Sequence, residues 1–412
     1  MKKSLVLLVV LIFLAGPGHL FATTTYLNSL NIPVWATNDD FIAQSMFPQL
    51  IPVFSKRFVL EYSGTNIWGY TYLPLLSGNA ALILNRPYSG SIANGTNVFG
   101  AGYSMNLGSL GRGGFILTFG RNSNDYTELP TDVPKTKGGS ENYSSSGHVG
   151  LLAGISLHPG MPVDLSLGIS FPYEHISSNI NDDSGHTIAS SLDNSNGFGL
   201  SLNGRTRINK FRIYGNINYQ YSGRETANKT WGGATYDLLT ENSSDESDNK
   251  IDIAGGISYP LSPVKGLLIR SGATVDIGYE GFTKDQHLYV RDVSSTTITP
   301  EDRWSLNFTL DAFLSGVMNI YKSWYLLGGI RKIIFYSYSR SKSLNQNDKI
   351  TSAHSNSIFS SQPTSIAMGI RGKIGFIKLD FTLNTNAILN GTYILSGVAN
   401  SLFARFAISV IW

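Results

Sequence analysis

From about residue 57 to the end, apolar side chains occupy every second position. Phe211, Ile213, Ile217, Tyr219 and Tyr221 alternate with Arg212, Tyr214, Asn216, Asn218 and Gln220. Trp304, Leu306, Phe308, Leu310, Ala312 and Leu314 alternate with Arg303, Ser305, Asn307, Thr309 and Asp311. Leu267, Ile269, Ala273, Val275, Ile277 and Tyr279 stand against Arg270, Thr274, Asp276 and Glu280. A period of two is the side-chain repeat of a strand, so each segment has one apolar face and one mixed face. A soluble sandwich supplies one or two such strands. Here they recur with no helical segment between them.

The connections add a second regularity. Short turns are expected at Leu76–Gly78, Gly108–Gly111, Pro159–Gly160, Ile208–Asn209, Pro260–Pro263, Asn319–Tyr321 and Gly372–Gly375. Longer polar stretches alternate with them: Tyr88–Asn97, Asn122–Ser145, Glu174–Asn196, Ser222–Asp248, Gly281–Glu301, Ser339–Ser361 and Ala387–Asn400. Short turns on one side and long loops on the other describe an antiparallel transmembrane β-barrel with both termini on the short-turn side. The strand count on this reading is about sixteen, within a range of 14–16, and it is even as that topology requires. Trp324–Tyr338 loses phase near Arg331–Lys332, where a bulge is expected.

Composition agrees. Charged residues make up 14%, aromatics 12%, and glycine counts 43 in 412 residues. Soluble domains carry about a quarter charged residues. A net charge of +3 gives no electrostatic argument for nucleic acid. With no cysteine, disulfides, thiol catalysis and thiolate metal sites are excluded. Tyr and Trp gather at predicted strand ends, Tyr173, Tyr221, Trp231, Tyr279, Trp304 and Tyr338 among them. Such rings form aromatic girdles at headgroup level, though aromatics also favour strands generally.

The N-terminus reads as an export signal over residues 1–22. Lys2 and Lys3 precede an apolar run from Leu5 to Ala15, then Gly16, Pro17 and Gly18. The run is short of the about 20 residues that a spanning helix needs. Residues 23–55 do not alternate. Asn38, Asp39 and Asp40 precede Phe41 to Met46, an Asx-capped short helix ending before Pro48. This stretch is expected to be a lumenal plug, with Asp39, Asp40, Phe41, Phe47 and Pro48 as its candidate residues. The alternative is an ordinary periplasmic extension. Irregular backbone at membrane depth is tolerated only inside protein or a wet cavity. The barrel takes residues 56–412.

No constellation carries catalysis. The seven histidines include no close ligand pair. His148 and His158 fall at opposite ends of one predicted strand. There is no nucleophile elbow, P-loop or dinucleotide fingerprint. The chain is expected not to be an enzyme, the alternative being a membrane protease or lipase whose site is assembled from scattered residues, and no cofactor or metal site is expected. The stretch holding Glu241, Asp245, Glu246 and Asp248 reads as a solvated loop, or as one binding calcium or bridging lipopolysaccharide phosphates. The mixed face carries both charge signs, with Arg212, Arg270, Asp276, Arg303, Asp311 and Arg405 as lumen-lining candidates. They predict salt-bridge ladders along the wall or a weakly selective pore.

The last eleven residues, Leu402 to Trp412, alternate again and end on an aromatic. Phe406, Ile408, Val410 and Trp412 on their apolar face resemble the C-terminal closure signal of bacterial outer-membrane barrels, which the barrel-assembly machinery reads. The plainer alternative is the last strand of a soluble barrel.

A second resemblance lies further upstream. Asp39–Asp40, Phe47–Pro48–Gln49–Leu50, Phe58–Tyr62 and Tyr72–Leu73–Pro74–Leu75–Leu76–Ser77–Gly78 stand where the long-chain fatty-acid transporter (FadL-like) superfamily has related elements. That superfamily includes the PorV-type barrels of type IX secretion. The likeness covers about sixty residues, and its Asn-Pro-Ala turn is replaced by Phe47–Pro48–Gln49. It implies fourteen strands, an N-terminal hatch and passive uptake of hydrophobic molecules, or, for PorV-type members, partnership with secreted proteins. The expectation is therefore an outer-membrane, porin-like barrel for passive transport of small solutes, hydrophobic ones among them. The alternative is a non-transporting barrel serving as a surface or secretion-system partner. Its expected partners are outer-membrane lipid, lipopolysaccharide and the assembly machinery, with no nucleic acid.

Overall fold

The computed structural model describes residues 33–36, 46–54, 56–63, 66–87, 97–128, 140–157, 162–181, 186–232, 237–290, 293–344, 350–361, 364–383 and 403–411. The export-signal reading of residues 1–22 and the helix expected after Asp40 lie outside these, as do Pro159–Gly160, His158 and Ala387–Asn400.

Seventeen strands form one antiparallel sheet. Four short ones open the chain: β1 (Arg57–Ser63), β2 (Asn66–Leu75), β3 (Gly78–Pro87) and β4 (Asn97–Asn106). Nine long ones follow. These are β5 (Gly111–Glu128), β6 (Ser140–Leu157), β7 (Val163–Asn181), β8 (Thr187–Ile208), β9 (Phe211–Gly232), β10 (Asp237–Val264), β11 (Leu267–Val290), β12 (Val293–Tyr321) and β13 (Trp324–Leu344). Then come β14 (Ile350–Ser361), β15 (Ser365–Ile374), β16 (Ile377–Leu383) and β17 (Phe403–Ile411).

Apart from β14 and β15, each strand pairs with the next in the chain, and β1 pairs with β17, so the sheet closes. Closure removes the open edges that lipid cannot satisfy. β13 pairs along one half with β15 and along the other with β14. β14 and β15 are thus two pieces of one stave, and the barrel has sixteen staves. The fourteen implied by the fatty-acid-transporter resemblance is corrected. The exchange of partner falls between Arg331 and Ile334, where the sequence loses phase. The ladder of β13 with β12 runs unbroken there, from Ala312↔Lys332 to Phe313↔Arg331. The irregularity sits instead on the other edge, where the β14 register shifts between Phe335 and Ser337.

The alternation places apolar side chains outward. Ile253, Leu314 and Phe119 are 52%, 50% and 61% exposed, values that a soluble fold could not sustain across a whole sheet. In lipid each such side chain contributes roughly 1.5–3 kcal/mol relative to water. Tyr173, Tyr221 and Tyr279 stand on this outer face, and Trp304 packs on Tyr338 with ring centroids 5.2 Å apart. Trp231, expected in the girdle, lies much further along β9 and is not part of it.

Two sets of boundaries differ from expectation. The stretch Pro260–Pro263 stays in β10, with a register shift between Leu261 and Val264 because neither proline donates to the ladder. The turn falls at Lys265–Gly266, where Gly266 takes φ +86. The Asn319–Tyr321 turn likewise moves to Lys322–Ser323. The larger difference is on the opposite side. Most stretches expected as long loops are strand: β9 continues to Gly232 and β10 begins at Asp237, so Glu241 to Asp248 is ladder, not loop. Beyond the bilayer both faces are wet. Both carry polar residues there, and the pairing continues without the alternation that announced it.

Candidate functional site

The inward face is cut by glycines, and the N-terminal segment fills the cuts. A 3-10 turn over Val34–Ala36 and a 3-10 helix over Pro48–Phe54 bracket a stretch outside the described residues. Trp35, Ala36, Phe47, Gln49, Leu50 and Ile51 are all buried. A Cβ at Gly114 would stand 2.7 Å from the Pro48 carbonyl and 2.8 Å from Gln49 Cα. A Cβ at Gly154 would collide with the Gln49 carboxamide, and one at Gly102 would crowd Ile51. Gln49 Nε2 donates to the Ile155 carbonyl at 3.1 Å and, more weakly, to that of Leu165 at 3.4 Å. The Arg205 guanidinium lies 5.0 Å over the Phe47 ring.

Trp35 holds a second seat. Its ring stacks parallel on Tyr214, 5.4 Å between centroids and 4° between planes. Phe313 meets it edge-on at 6.1 Å. Each such pair contributes about 0.5–1.5 kcal/mol beyond its buried area. Of the candidate plug residues, Phe47 and Pro48 are in contact with the inward wall, while Asp39, Asp40 and Phe41 lie outside the described residues. The pattern did not reveal Phe313, Tyr214 or Leu327 as a lumenal apolar cluster. Phe313 sits on the polar face of its strand, between Asp311 and Ser315, and that placement was the available signal.

The charged rungs form ladders. Ser156 Oγ donates to Asp164 Oδ1 at 2.5 Å, and Arg205 Nε donates to Asp164 Oδ2 at 2.9 Å. Asp311 is gripped by Arg331 through two bonds, 2.8 and 2.6 Å. At the seam, Arg371 Nε donates to Asp380 Oδ1 at 2.5 Å, both residues buried. Fork-shaped guanidinium–carboxylate pairs are the strong form of this contact. Of the lumen candidates, Arg270 and Asp311 are buried at inward positions, and Arg212 and Asp276 are half-buried. Arg405 is exposed, in the inward row with Ala407 and Ser409. Opposite this row, Phe406, Ile408 and Val410 pair with Tyr62, Leu60 and Phe58 on the outer face, closing the barrel. Trp412 lies outside the described residues.

Beyond the girdle the tall strands form a cavity of about 440 Å³, lined among others by Glu174, Arg224, Asp248, Glu280, Phe282 and Arg303. Arg303 lies 4.7 Å over the Phe282 ring. Arg224 grips Asp193 at 3.0 and 2.6 Å, and that hydrogen-bonded pairing raises its pKa. Burial raises the Asp248 carboxyl, and the nearby Glu280 adds to the shift, against Lys250 and Arg303. Among the described residues no group of three or more acids and histidines could hold a metal ion. Glu241 faces Lys229 at 3.0 Å and Glu246 faces Lys284 at 2.6 Å.

A closed antiparallel barrel with an apolar outer band, aromatic rings at its borders and a polar inner wall is an outer-membrane β-barrel. This protein is one, in a bacterial outer membrane. No family model and no curated protein matches the chain. Among solved structures it is similar to the ferric yersiniabactin uptake receptor FyuA from Yersinia pestis. That match has 7% identity and a TM-score of 0.40, and it covers 80% of this chain and 69% of that one. It is also similar to the ferric-catecholate import receptor Fiu from E. coli K12, with 9% identity, a TM-score of 0.37, and 86% and 80% covered. The copper transporter OprC gives 7%, 0.32, 87% and 81%. Likeness at this level carries no argument about activity. The comparisons give no support to the FadL-like or PorV-like resemblance.

Proposed function

We propose that this barrel passes small solutes, hydrophobic ones among them, across the outer membrane without an energy source, and that its N-terminal segment is a lumenal plug. One observation carries the reading: Phe47 to Ile51 and Trp35 fill seats that glycines leave in the inward wall. A periplasmic extension has no reason to be matched to that wall. The salt-bridge ladders hold the surrounding wall polar without a strong net sign, which suits weak selectivity. No reaction is assigned to the protein. Lipopolysaccharide, through the outer face, and the assembly machinery, through Phe406, Ile408 and Val410, are its proposed partners.

Planar-bilayer conductance tests the reading. Removal of residues 25–54 should raise single-channel current several-fold over the full chain. No current from either form would overturn passage.

A second reading, a surface or secretion-system partner that transports nothing, is favoured by the length of β7 to β12. Their 19 to 29 residues far exceed the about 10 that a membrane strand needs. A non-conducting barrel that retains a protein partner through these extensions would support it.

A further inference from the structure

Trp35 and Phe47 to Ile51 are held in different ways. The second stretch is tied by Gln49 to a wall carbonyl and by Arg205 over Phe47. Trp35 stands on a turn of three residues in which Ala36 N–H donates to the Pro33 carbonyl, 3.1 Å. It meets the wall with its ring, against Tyr214, Phe313 and the bare backbone of Gly256.

The slot that receives it is one ring wide. Tyr214 on β9 is paired across the ladder with Gly256 on β10, and Phe313 on β12 with Gly272 on β11. A Cβ at Gly256 would sit 2.4 Å from the Trp35 ring, and one at Gly272 would sit 2.4 Å from the Phe313 ring. Each wall aromatic is thus set against a bare backbone, and the space left is flat. The Tyr214 wall is fixed independently of Trp35. Its hydroxyl donates to Asn203 Oδ1 at 3.2 Å, and the same oxygen accepts from Asn216 Nδ2 at 2.7 Å. Thr274, the partner of Gly256 on β11, has a buried hydroxyl with no hydrogen-bond partner among the described residues. A buried hydroxyl without a partner is costly, and a ligand atom can satisfy it.

We infer that the slot between Tyr214 and Phe313 is a binding subsite for a planar aromatic ring bearing one hydrogen-bonding group, and that Trp35 is its resident occupant, displaced by such a solute. The inference deepens the passage reading and rests on it for the source of the solute. The parallel stack selects flatness, the glycines set the width, and Thr274 supplies one polar contact. A saturated or branched solute would lose the stack and meet the Phe313 edge.

The test is binding of indole to the detergent-solubilised full chain, free of its leader, read by titration calorimetry. Trp35→Ala should bind indole saturably and at least about tenfold tighter than the unaltered protein, because the competing occupant is gone. Adding Gly256→Leu should abolish that binding. Thr274→Val should weaken indole several-fold while leaving toluene unchanged. Equal binding by Trp35→Ala and by the double variant would overturn the inference. So would an absence of saturable binding to Trp35→Ala. Should Trp35→Ala not fold, the unaltered chain carrying 5-fluorotryptophan serves instead. Its Trp35 fluorine resonance, assigned by its loss in Trp35→Phe, should move as indole is added, and a fixed resonance would overturn the inference. A barrel that binds indole but carries no current would sink passage alone. One that conducts but binds no indole would sink the subsite alone.

Discussion

The barrel has two walls of unequal height. β1 to β4 and β15 to β17 are 7 to 10 residues long, no more than a bilayer crossing takes. β5 to β13 run from 18 to 29 residues, and β14 stands on β15 to continue them. Among the described residues, β14 pairs only with β13, and β5 beyond Gly120 pairs only with β6. In its described residues the short wall is all membrane. The tall wall is membrane below and a free-standing sheet above. What holds the two parts differs accordingly. At membrane depth, apolar residues face lipid and buried ion pairs face the lumen. Above it, both faces are wet, and exposed pairs and backbone ladders do the holding.

Breaking a pair in each wall should show this difference most strongly. At the short-wall seam, Asp380→Ala removes a buried partner of Arg371 beside Lys378. It should cost about 3–5 kcal/mol in urea unfolding from lipid. In the tall extension, Asp193→Ala releases Arg224, whose side chain is 51% exposed. It should cost no more than about 1 kcal/mol. Equal losses would mean that the two environments do not differ.

The next effect sharpens the comparison inside the lumen, where β4 and β5 meet at the junction of the walls. Gly114→Leu pushes against the Pro48 and Gln49 backbone and should cost about 1–3 kcal/mol, with conductance rising as the segment leaves its seat. Gly215→Ala, where a Cβ meets nothing within 4 Å, should change neither. A smaller effect is expected from trimming the β9–β10 hairpin by deleting 226–244, which would leave Glu225–Asp245 as a two-residue turn between the ladder partners Arg224 and Glu246. The trimmed barrel should insert and shift on heating in gels as the full chain does. A failure to insert would show that the extension is needed for the wall below it.

The smallest effect concerns Asp248. Burial raises its carboxyl above the ordinary value, so the folded state binds a proton more readily than the unfolded chain. Below the ordinary carboxylate range both states are protonated and nothing is lost. As pH rises through that range the unfolded chain ionises first, and stability falls. Asp248→Asn should therefore be slightly more stable than the unaltered protein at neutral pH, with the difference vanishing in acid. A difference that grows in acid would contradict the assignment.

The same division explains what could be read from the residues alone. Alternation reports lipid on one side of a strand, so Phe211 to Tyr221 and Trp304 to Leu314 were legible, and with them closure and the sixteen staves. Above the girdle nothing distinguishes the faces, so Ser222 to Asp248 read as loop although Thr226 and Ser244 are ladder partners. The lumen charges were legible as a class, because a cation on the polar row has few other uses. Their partners were not: Asp311 meets Arg331 on the next strand, and register alone decides that. Phe313 and Leu327 were missed because an apolar residue on the polar row carries no sign of what it will touch. The N-terminal segment was legible as irregular, but its seats are glycines scattered over β4, β5, β6 and β10, and only the fold brings them together.

The chain has no cysteine, so a single engineered pair is unambiguous. Gln49→Cys with Gly154→Cys places two thiols where the Gln49 carboxamide now fills the Gly154 seat. In the assembled barrel this pair should form a disulfide under mild oxidation, giving a faster-migrating band that reverts on reduction. If both thiols instead remain free and label with maleimide, the segment does not sit against that wall.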